Sequence, residues 1–295
     1  MTGIGIGGLG MAAAPHMLAT RDLEAAGRVR LVGGCAPRAP RRAAFAVTWG
    51  APVFDSLDPL LAAPGLGLVI VLTPPGAHLP VAEAVAAAGT QILVEKPLEI
   101  TTARAEMLVT MPARARVTLG VMFQRRFRPG ALRLRRAVAA GELGELLSCS
   151  AQIRWWRDAA NFAQAGRGTK ARDGGGVLLT QAIHTLDLLL HLAKPVAALG
   201  AFGRTSPLRA IDTEDIAAAA LRFTNGAIGA PDATTVVEPG FPERIEIAGN
   251  GGSAALVAER LELHVEGRPV EVLDGGLAGG GGADPMASDH ARTVP

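Results

Sequence analysis

The chain reads as a two-part α/β protein: a doubly wound parallel sheet over residues 1–122, then an α+β domain over 123–295 built on a large, mostly antiparallel open sheet. Three observations predict this. At 295 residues the chain exceeds what one core usually organises, so two domains are expected. Over the first 122 residues short β-type runs alternate with helical patterns, the signature of parallel strands joined by crossover helices. Beyond Phe123 the alternation stops and strands begin to follow one another directly.

The first part supplies its elements in strict alternation. Thr2 to Gly7, Arg28 to Cys35, Leu66 to Thr73, Gln91 to Glu95 and Val117 to Met122 are apolar runs of strand length. Between them Met11 to Ala26, Arg38 to Trp49, His78 to Ala88 and Thr102 to Thr110 carry apolar residues at helical spacing. In the second part a helix from Gly130 to Ala140 precedes a strand from Leu146 to Trp156. A glycine-rich loop and a long apolar helix from Val177 to Leu192 come next. Val196 to Gly203, Asp215 to Phe223, Ala227 to Val237, Arg244 to Ala248, Ala254 to Val257 and Leu261 to Val265 then read as strands of one sheet. The tail from about Asp274 is glycine-rich and expected to be irregular.

Glycine is abundant, so the N-terminus offers three overlapping registers of a nucleotide-binding turn: Gly3/Gly5/Gly8, Gly5/Gly7/Gly10, and Gly8/Gly10 with Ala13 in third place. Such a turn must follow a strand long enough to be central and open directly into a helix, so that a diphosphate meets free backbone N–H groups. Only the last register leaves six residues for the strand before it. Gly8, Gly10, Met11 and Ala13 are therefore the expected cofactor turn of a Rossmann-type dinucleotide-binding domain. A similar match at Gly249/Gly251/Ala254 precedes a β-type run and reads as a hairpin turn. After the second strand, where a carboxylate usually accepts hydrogen bonds from the adenosine ribose, the chain has Cys35-Ala36-Pro37-Arg38. With the acid missing and Arg38 following Ala36, NAD(P) is expected, leaning towards NADP. A solvated helix face is the alternative use of Arg38, Arg41 and Arg42.

Of the 29 basic residues only Lys96, Lys170 and Lys194 are lysine, and Lys96 ends an apolar strand in Val94-Glu95-Lys96-Pro97. Only an ammonium can lose its proton near neutral pH when desolvated, because a guanidinium stays charged. Lys96 is the first catalytic candidate. The helix from Val177 to Leu192 places Thr180, His184, Asp187 and His191 at i, i+4, i+7 and i+11, a polar stripe on an otherwise apolar helix. The stripe faces a substrate cavity or hydrogen-bonds a neighbouring element. No thiolate or further carboxylate cluster accompanies it, and no metal is expected.

Composition narrows the chemistry further. Tyrosine is absent, which excludes a tyrosine–lysine proton relay, and two isolated cysteines, Cys35 and Cys149, argue against a thiolate zinc site and a disulfide framework. A net charge of +2 with scattered arginines predicts no nucleic-acid partner. The apolar runs are too short to span a bilayer, and no leader pattern opens the chain, so a cytoplasmic protein without a membrane partner is expected.

Taken together, Gly8-Leu9-Gly10 with Ala13, Thr73-Pro74-Pro75 with His78, Glu95-Lys96-Pro97, Gln124-Arg125-Arg126-Phe127, Asp173-Gly174-Gly175-Gly176 and His184-x-x-Asp187 resemble the Gfo/Idh/MocA oxidoreductases, the family of glucose-fructose oxidoreductase and inositol dehydrogenase. The resemblance spans almost the whole chain. It implies a second domain that binds substrate and assembles homodimers or homotetramers through its open sheet, and a cis peptide before Pro97. It also implies that Thr73, Pro74, His78, Glu95, Lys96 and Gln124 line the cofactor. Lys96 and His184 would be catalytic, with Asp187, Thr180 and Arg125 towards substrate.

This chain departs from the pattern in three places. Many relatives have an acid where Thr180 stands, the loop from Asn161 to Lys170 lacks the tyrosine and tryptophan often present, and the C-terminus reads as shortened. The expected activity is NAD(P)-dependent hydride transfer between nicotinamide C4 and a secondary hydroxyl of a sugar, cyclitol or related polyol, with Lys96 and His184 exchanging the hydroxyl proton. Arg167, Lys170 and Arg172 hint at an acidic sugar, against the plainer reading of a solvated basic loop. Two rival readings stand beside this one. One is a sensor or corepressor-like protein that binds dinucleotide and sugar without turnover; the other is a scaffold with a dead site, which would bind no nucleotide.

Overall fold

Six apolar runs, each ended by glycine or a polar turn, lie side by side in the first unit. A computed structural model describes residues 1–163 and 166–275, and divides them into two units, Met1–Phe123 and the residues from Gln124 onward. The first unit runs β1 (Thr2–Gly7), α1 (Ala13–Ala25), β2 (Val29–Cys35), α2 (Ala39–Trp49), β3 (Val53–Phe54), α3 (Leu57–Leu61), β4 (Leu66–Val71), α4 (His78–Ala87), β5 (Gln91–Glu95), α5 (Thr102–Ala115) and β6 (Leu119–Met122). The strand order is β3-β2-β1-β4-β5-β6, and every pairing is parallel. Successive side chains of a strand point to opposite faces. Ile70 and Leu72 accordingly join Ile4, Ile6, Met17 and Phe45 in one layer. Val69 and Val71 join Leu79, Val85 and Leu108 in another.

Two short elements, β3 and α3, fall outside the elements expected from periodicity, because two and five residues are too few to show a period. Helix α5 also runs past Thr110 and through the buried Pro112 to a left-handed Arg116 at φ 58°.

The start of α4 is clamped to the loop after β5. Glu99, 5% exposed, accepts the Leu79 N–H at 3.1 Å and the Ile100 N–H at 2.9 Å. Arg104 Nε donates to the same carboxylate at 2.9 Å, and its terminal nitrogen reaches the Gly76 carbonyl at 2.9 Å. Burial pushes the Glu99 carboxyl up, but Arg104 and the two backbone N–H groups outweigh it and hold the group below the ordinary carboxylate range.

The second unit continues with α6 (Pro129–Ala139), β7 (Leu146–Arg154), α7 (Ala159–Phe162), α8 (Lys170–Asp173), α9 (Val177–Thr180), α10 (Ile183–Leu192), β8 (Val196–Arg204), β9 (Ile216–Phe223), β10 (Ile228–Thr234), β11 (Arg244–Gly249), β12 (Gly252–Val257), β13 (Arg260–Val265) and β14 (Glu271–Leu273). Eight strands form one sheet in the order β14-β13-β12-β11-β7-β10-β9-β8. Only β7 and β10 pair in parallel. Inward residues of this sheet pack with Leu134 of α6 and with Leu188, Leu189 and Leu192 of α10. Gly249 opposes Gly252 across a two-residue hairpin, as expected of the glycine decoy there. The expected irregular tail lies beyond residue 275, outside the described residues, apart from Asp274 and Gly275, which belong to no element.

The single helix expected over Val177 to Leu192 is two helices. The Thr180 hydroxyl donates back to the Gly176 carbonyl at 2.7 Å, and Ala182 N–H reaches five residues back to Val177 O at 2.8 Å. An extra residue thus enters the turn and rotates α10 relative to α9. Thr180 leaves the stripe, while His184, Asp187 and His191 stay together on α10.

The glycine triplet before α9 is set by close approach to the chain ahead of β9. A Cβ at Gly176 would stand 1.8 Å from the Glu214 carbonyl oxygen, and the Glu214 carboxylate accepts the Gly176 N–H at 3.0 Å and the Leu178 N–H at 3.2 Å. Gly174, at φ 77°, ends α8 in the left-handed region.

These contacts are open to test by stability measurements. Gly176→Ala is expected to destabilise by about 2 kcal/mol or more, read as a lowered urea midpoint, whereas Gly200→Ala, whose Cβ meets nothing within 4 Å, should change little. Glu99 has a lowered folded-state pKa, so its stabilisation is present above its unfolded pKa and is lost as pH falls through the folded one. Glu99→Gln should therefore lose about 1–3 kcal/mol at neutral pH, with the difference from wild type closing in acid, measured as urea midpoints across pH.

Candidate active site

In the first unit the glycine turn stands where β1 ends and α1 begins. Gly8 adopts φ +108°, and a Cβ there would meet the Leu72 carbonyl carbon at 2.8 Å and Thr73 N at 2.9 Å. Only glycine fits that approach. The turn is tied to its neighbours by Gly8 N–H to Cys35 O at 3.0 Å and Leu72 N–H to Gly7 O at 2.7 Å. Helix α1 has no side-chain cap and no acid in its first turn, and although the Ala13 N–H bonds Gly10 O at 3.1 Å, the positive end of the helix favours an anion at the turn. Leu9 is buried beneath the turn, while Met11 is 76% exposed above it. The Thr73 hydroxyl is buried without a partner among the described residues. This cradle fits a dinucleotide diphosphate.

At the end of β2, Ala36 is buried and its N–H donates to Phe54 O at 3.2 Å. Arg42 donates to the carbonyls of Ala36 and Pro37, each at 2.8 Å. Arg41 brings a guanidinium nitrogen to 3.4 Å from where a Gly10 Cβ would stand. Arg38 is the exposed residue that caps α2 in extended conformation. Arg41 and Arg42 thus bring guanidinium groups to the end of β2, and Arg38 follows it in the chain, where an acid usually reads the ribose.

Lys96 follows β5, half-buried, with a cis peptide to Pro97. A second cis peptide, Glu238–Pro239, lies in the other unit. Glu95, 5% exposed, takes a contact from His16 Nε2 at 2.8 Å on one oxygen and the Lys96 backbone N–H at 2.9 Å on the other. His78 sits between two loops, with Nε2 2.8 Å from Thr73 O and Nδ1 3.1 Å from Leu98 O. Pro74 leads a 3-10 turn, Pro75–Ala77, that ends at His78. The first unit therefore gathers Gly8, Gly10, Met11, Ala13, Ala36, Arg38, Thr73, Pro74, His78, Glu95 and Lys96 at the carboxyl ends of β1, β2, β4 and β5, which is where doubly wound sheets place ligands.

In the second unit Gln124 to Phe127 form a 3-10 turn packed on α10. Gln124 is buried, and its side-chain carbonyl has no partner among the described residues. Arg125, 4% exposed, donates to the Thr185 hydroxyl at 2.5 Å, pairs with Glu243 at 2.8 Å and lies over the Trp155 ring. Arg126 forks onto both oxygens of Asp187, its Nε at 2.7 Å. Asp187 is thereby engaged by a guanidinium, and His184 is buried on the same helix. Burial and then the Arg126 charge push the His191 imidazole below the ordinary histidine range, partly offset by Asp187. The Thr180 hydroxyl bonds within its own loop, to Gly176 O and the Gln181 side chain.

The loop after β7 carries aromatics. Trp155 lies under Arg125 and Arg157, and Arg209 stacks on Trp156 and Phe162 while pairing with the buried Asp215 at 2.9 Å. Lys170 is exposed, and Arg172 stands 3.7 Å from Asp173. Neither Arg209 nor His16 belongs to a motif in the sequence. For His16 the signal was present: it shares the buried face of α1 with Ala13, Met17 and Thr20, at a spacing where an imidazole needs a polar partner.

Residues 2–123 match the model of an oxidoreductase family with an NAD-binding Rossmann fold, and residues 131–255 match the C-terminal domain of the same group. A myo-inositol dehydrogenase from Streptomyces leeuwenhoekii is 30% identical over 256 residues, 85% of this chain and 74% of that one. An oxidoreductase of Synechocystis is 28% identical over 227 residues, and the match covers 72% of this chain but only 61% of that relative's length. The WlbA dehydrogenase of Bordetella pertussis, solved with NADH and UDP-GlcNAcA, superposes with a TM-score of 0.84 at 28% identity, over 91% of this chain and 78% of that one. Matched in both domains, and aligned over most of its length with a named dehydrogenase, the chain belongs to the Gfo/Idh/MocA oxidoreductase family.

Proposed function

We propose that this protein is an NAD(P)-dependent dehydrogenase or reductase acting on a secondary hydroxyl or ketone of a sugar, cyclitol or related polyol. The observation that carries this reading is the glycine turn that opens into an uncapped helix, in the same unit that anchors Lys96 by its own backbone to a buried carboxylate. The dinucleotide, when bound, supplies the hydride acceptor or donor. Gly10 and Met11 offer backbone N–H groups to its diphosphate, Gly8 lets the turn lie close to the chain after β4 and Ala13 packs in the core below it, and the Thr73 hydroxyl, Pro74, His78, Glu95 and Gln124 shape its other end. Lys96 polarises the substrate oxygen, and Lys96 and His184 exchange the hydroxyl proton. Arg125 and Asp187 act from behind. Each is held in an ion pair, with Glu243 and Arg126 respectively, so they fix the turn of residues 124–127 against α10. Thr180 replaces an acid, and its hydroxyl is engaged with Gly176, so the proton path rests on the lysine and the histidine.

The lean towards NADP rests on Arg38, Arg41 and Arg42 around an acid-free β2 end. A homodimer or homotetramer is supported by β8, where all residues but Val196 are exposed, Leu199 at 69% and Phe202 at 89%. Among the described residues no helix is long and apolar enough to cross a membrane, and the expected place of action is the cytoplasm. A second reading, a sensor that binds dinucleotide and sugar without turnover, is favoured by the engaged hydroxyl of Thr180.

Screening myo-inositol, scyllo-inositol, aldoses and uronic acids for reduced-nicotinamide absorbance separates the two readings: turnover is expected, and nucleotide binding with no turnover of any substrate would support the sensor. Lys96→Met should lower kcat by about 100-fold or more with cofactor affinity within about twofold of wild type; normal turnover would remove Lys96 from the chemistry. Michaelis constants for the two cofactors are expected to favour NADP, with the preference lost in Arg38→Ala, and a clear preference of the wild type for NAD would overturn that lean.

A further inference from the structure

His16 is a buried imidazole, 4% exposed, with no place in the proposed proton path or cofactor cradle. It lies on α1 just behind the glycine turn, and its Nε2 stands 2.8 Å from Glu95 Oε1. The other oxygen of that carboxylate accepts the Lys96 N–H at 2.9 Å. The Thr20 hydroxyl donates to the His16 carbonyl at 2.7 Å, an ordinary contact one helical turn on that does not involve the ring. A buried polar pair with only a packing purpose is readily replaced by apolar side chains, often with a gain in stability. This pair touches the peptide of Lys96.

We propose that His16 is a positioning residue for Lys96, acting through Glu95. With the imidazole in place, one carboxylate oxygen is satisfied from α1 and the other is left to orient the Lys96 peptide. Without it, that oxygen loses a 2.8 Å contact in a buried site, and a carboxylate that turns, takes up a proton or admits water in response alters its bond to the Lys96 N–H. Each outcome loosens the hydrogen bond that sets the direction in which the lysine chain leaves the strand. A displacement of about 1 Å at a reacting group costs on the order of 100-fold in rate, whereas binding is far more tolerant. Because α1 also carries the glycine turn, the same helix sets both the cofactor cradle and the lysine. The inference rests on the reading of Lys96 as the proton-transfer group.

The chain has three lysines, Lys96, Lys170 and Lys194, and the last two are exposed and far in sequence from His16. They are internal standards for trace acetylation with acetic anhydride, read by peptide mass spectrometry on the full chain without cofactor. His16→Ala is expected to change the acetylation rate of Lys96 by about threefold or more, with Lys170 and Lys194 unchanged. His16→Gln, which keeps an N–H donor for Glu95, should restore it. If His16→Ala fails to fold, the volume-filling His16→Leu takes its place.

In turnover of the best polyol from the screen, His16→Ala or its substitute His16→Leu should lose about tenfold in kcat, raise the primary deuterium isotope effect and keep cofactor affinity within about twofold, and His16→Gln should recover the rate. A Lys96 rate within twofold of wild type, or all three lysines changing together, overturns the proposal. Lys96→Met separates the two levels: normal turnover there defeats the reading of Lys96 itself, whereas a dead Lys96→Met beside fully active His16 variants defeats only the role of His16.

Discussion

A single carboxylate buried at the end of β5 joins the parts of the first unit that bear on chemistry. Glu95 meets His16 on α1 with one oxygen and the Lys96 peptide with the other, so the helix that follows the glycine turn and the loop that bears the lysine are held by one group. A buried carboxylate left without donors is costly, and that cost makes the arrangement specific, because both partners must be present at once. The loop beyond Lys96 is held a second time. His78 bridges Thr73 O and Leu98 O, and Glu99 gathers Arg104 with two backbone N–H groups. An amine on a short loop has many rotamers, and fixing the peptide of Lys96 at both sides removes much of that freedom, as the proposed proton transfer requires.

The second unit uses charge in the same way but deeper in its core. Arg125 and Arg126 leave one 3-10 turn in two directions, one to Thr185 and Glu243 and the other to Asp187. Between them they lock that turn onto α10, the helix that carries His184. A guanidinium suits this work because its planar fork makes several bonds at once and stays charged when buried. Arg209 does the same for the loop after β7, satisfying Asp215 while covering Trp156 and Phe162. The arginine-rich composition therefore supplies internal fasteners as well as surface charge.

How much was legible in the sequence depends on the range of the interaction. Five of the six parallel strands and four of their helices were readable because each carries its own period, and the glycine turn because strand, turn and helix are adjacent in the chain. Strand β3 and helix α3 were too short to show a period. The break between α9 and α10 leaves no mark in the periodicity because apolar spacing runs through it; a hydroxyl bonding back to Gly176 and one extra residue in the turn decide it. That break takes Thr180 out of a stripe that looked continuous. The resemblance points Asp187 towards substrate, yet its partner Arg126 lies 61 residues away in the chain, a separation that no local pattern encodes.

The sequence alone determined the class of both units and the family, and it singled out one register of the nucleotide turn and one of three lysines as candidates, since all of these rest on local periodicity or on short runs of adjacent residues. Only the tertiary structure decided which polar groups meet: His16 with Glu95, Arg126 with Asp187, Glu214 with the glycine triplet. Such pairs form because burial penalises a polar group that lacks a partner, and which partner lies within reach is set by how strands and helices pack.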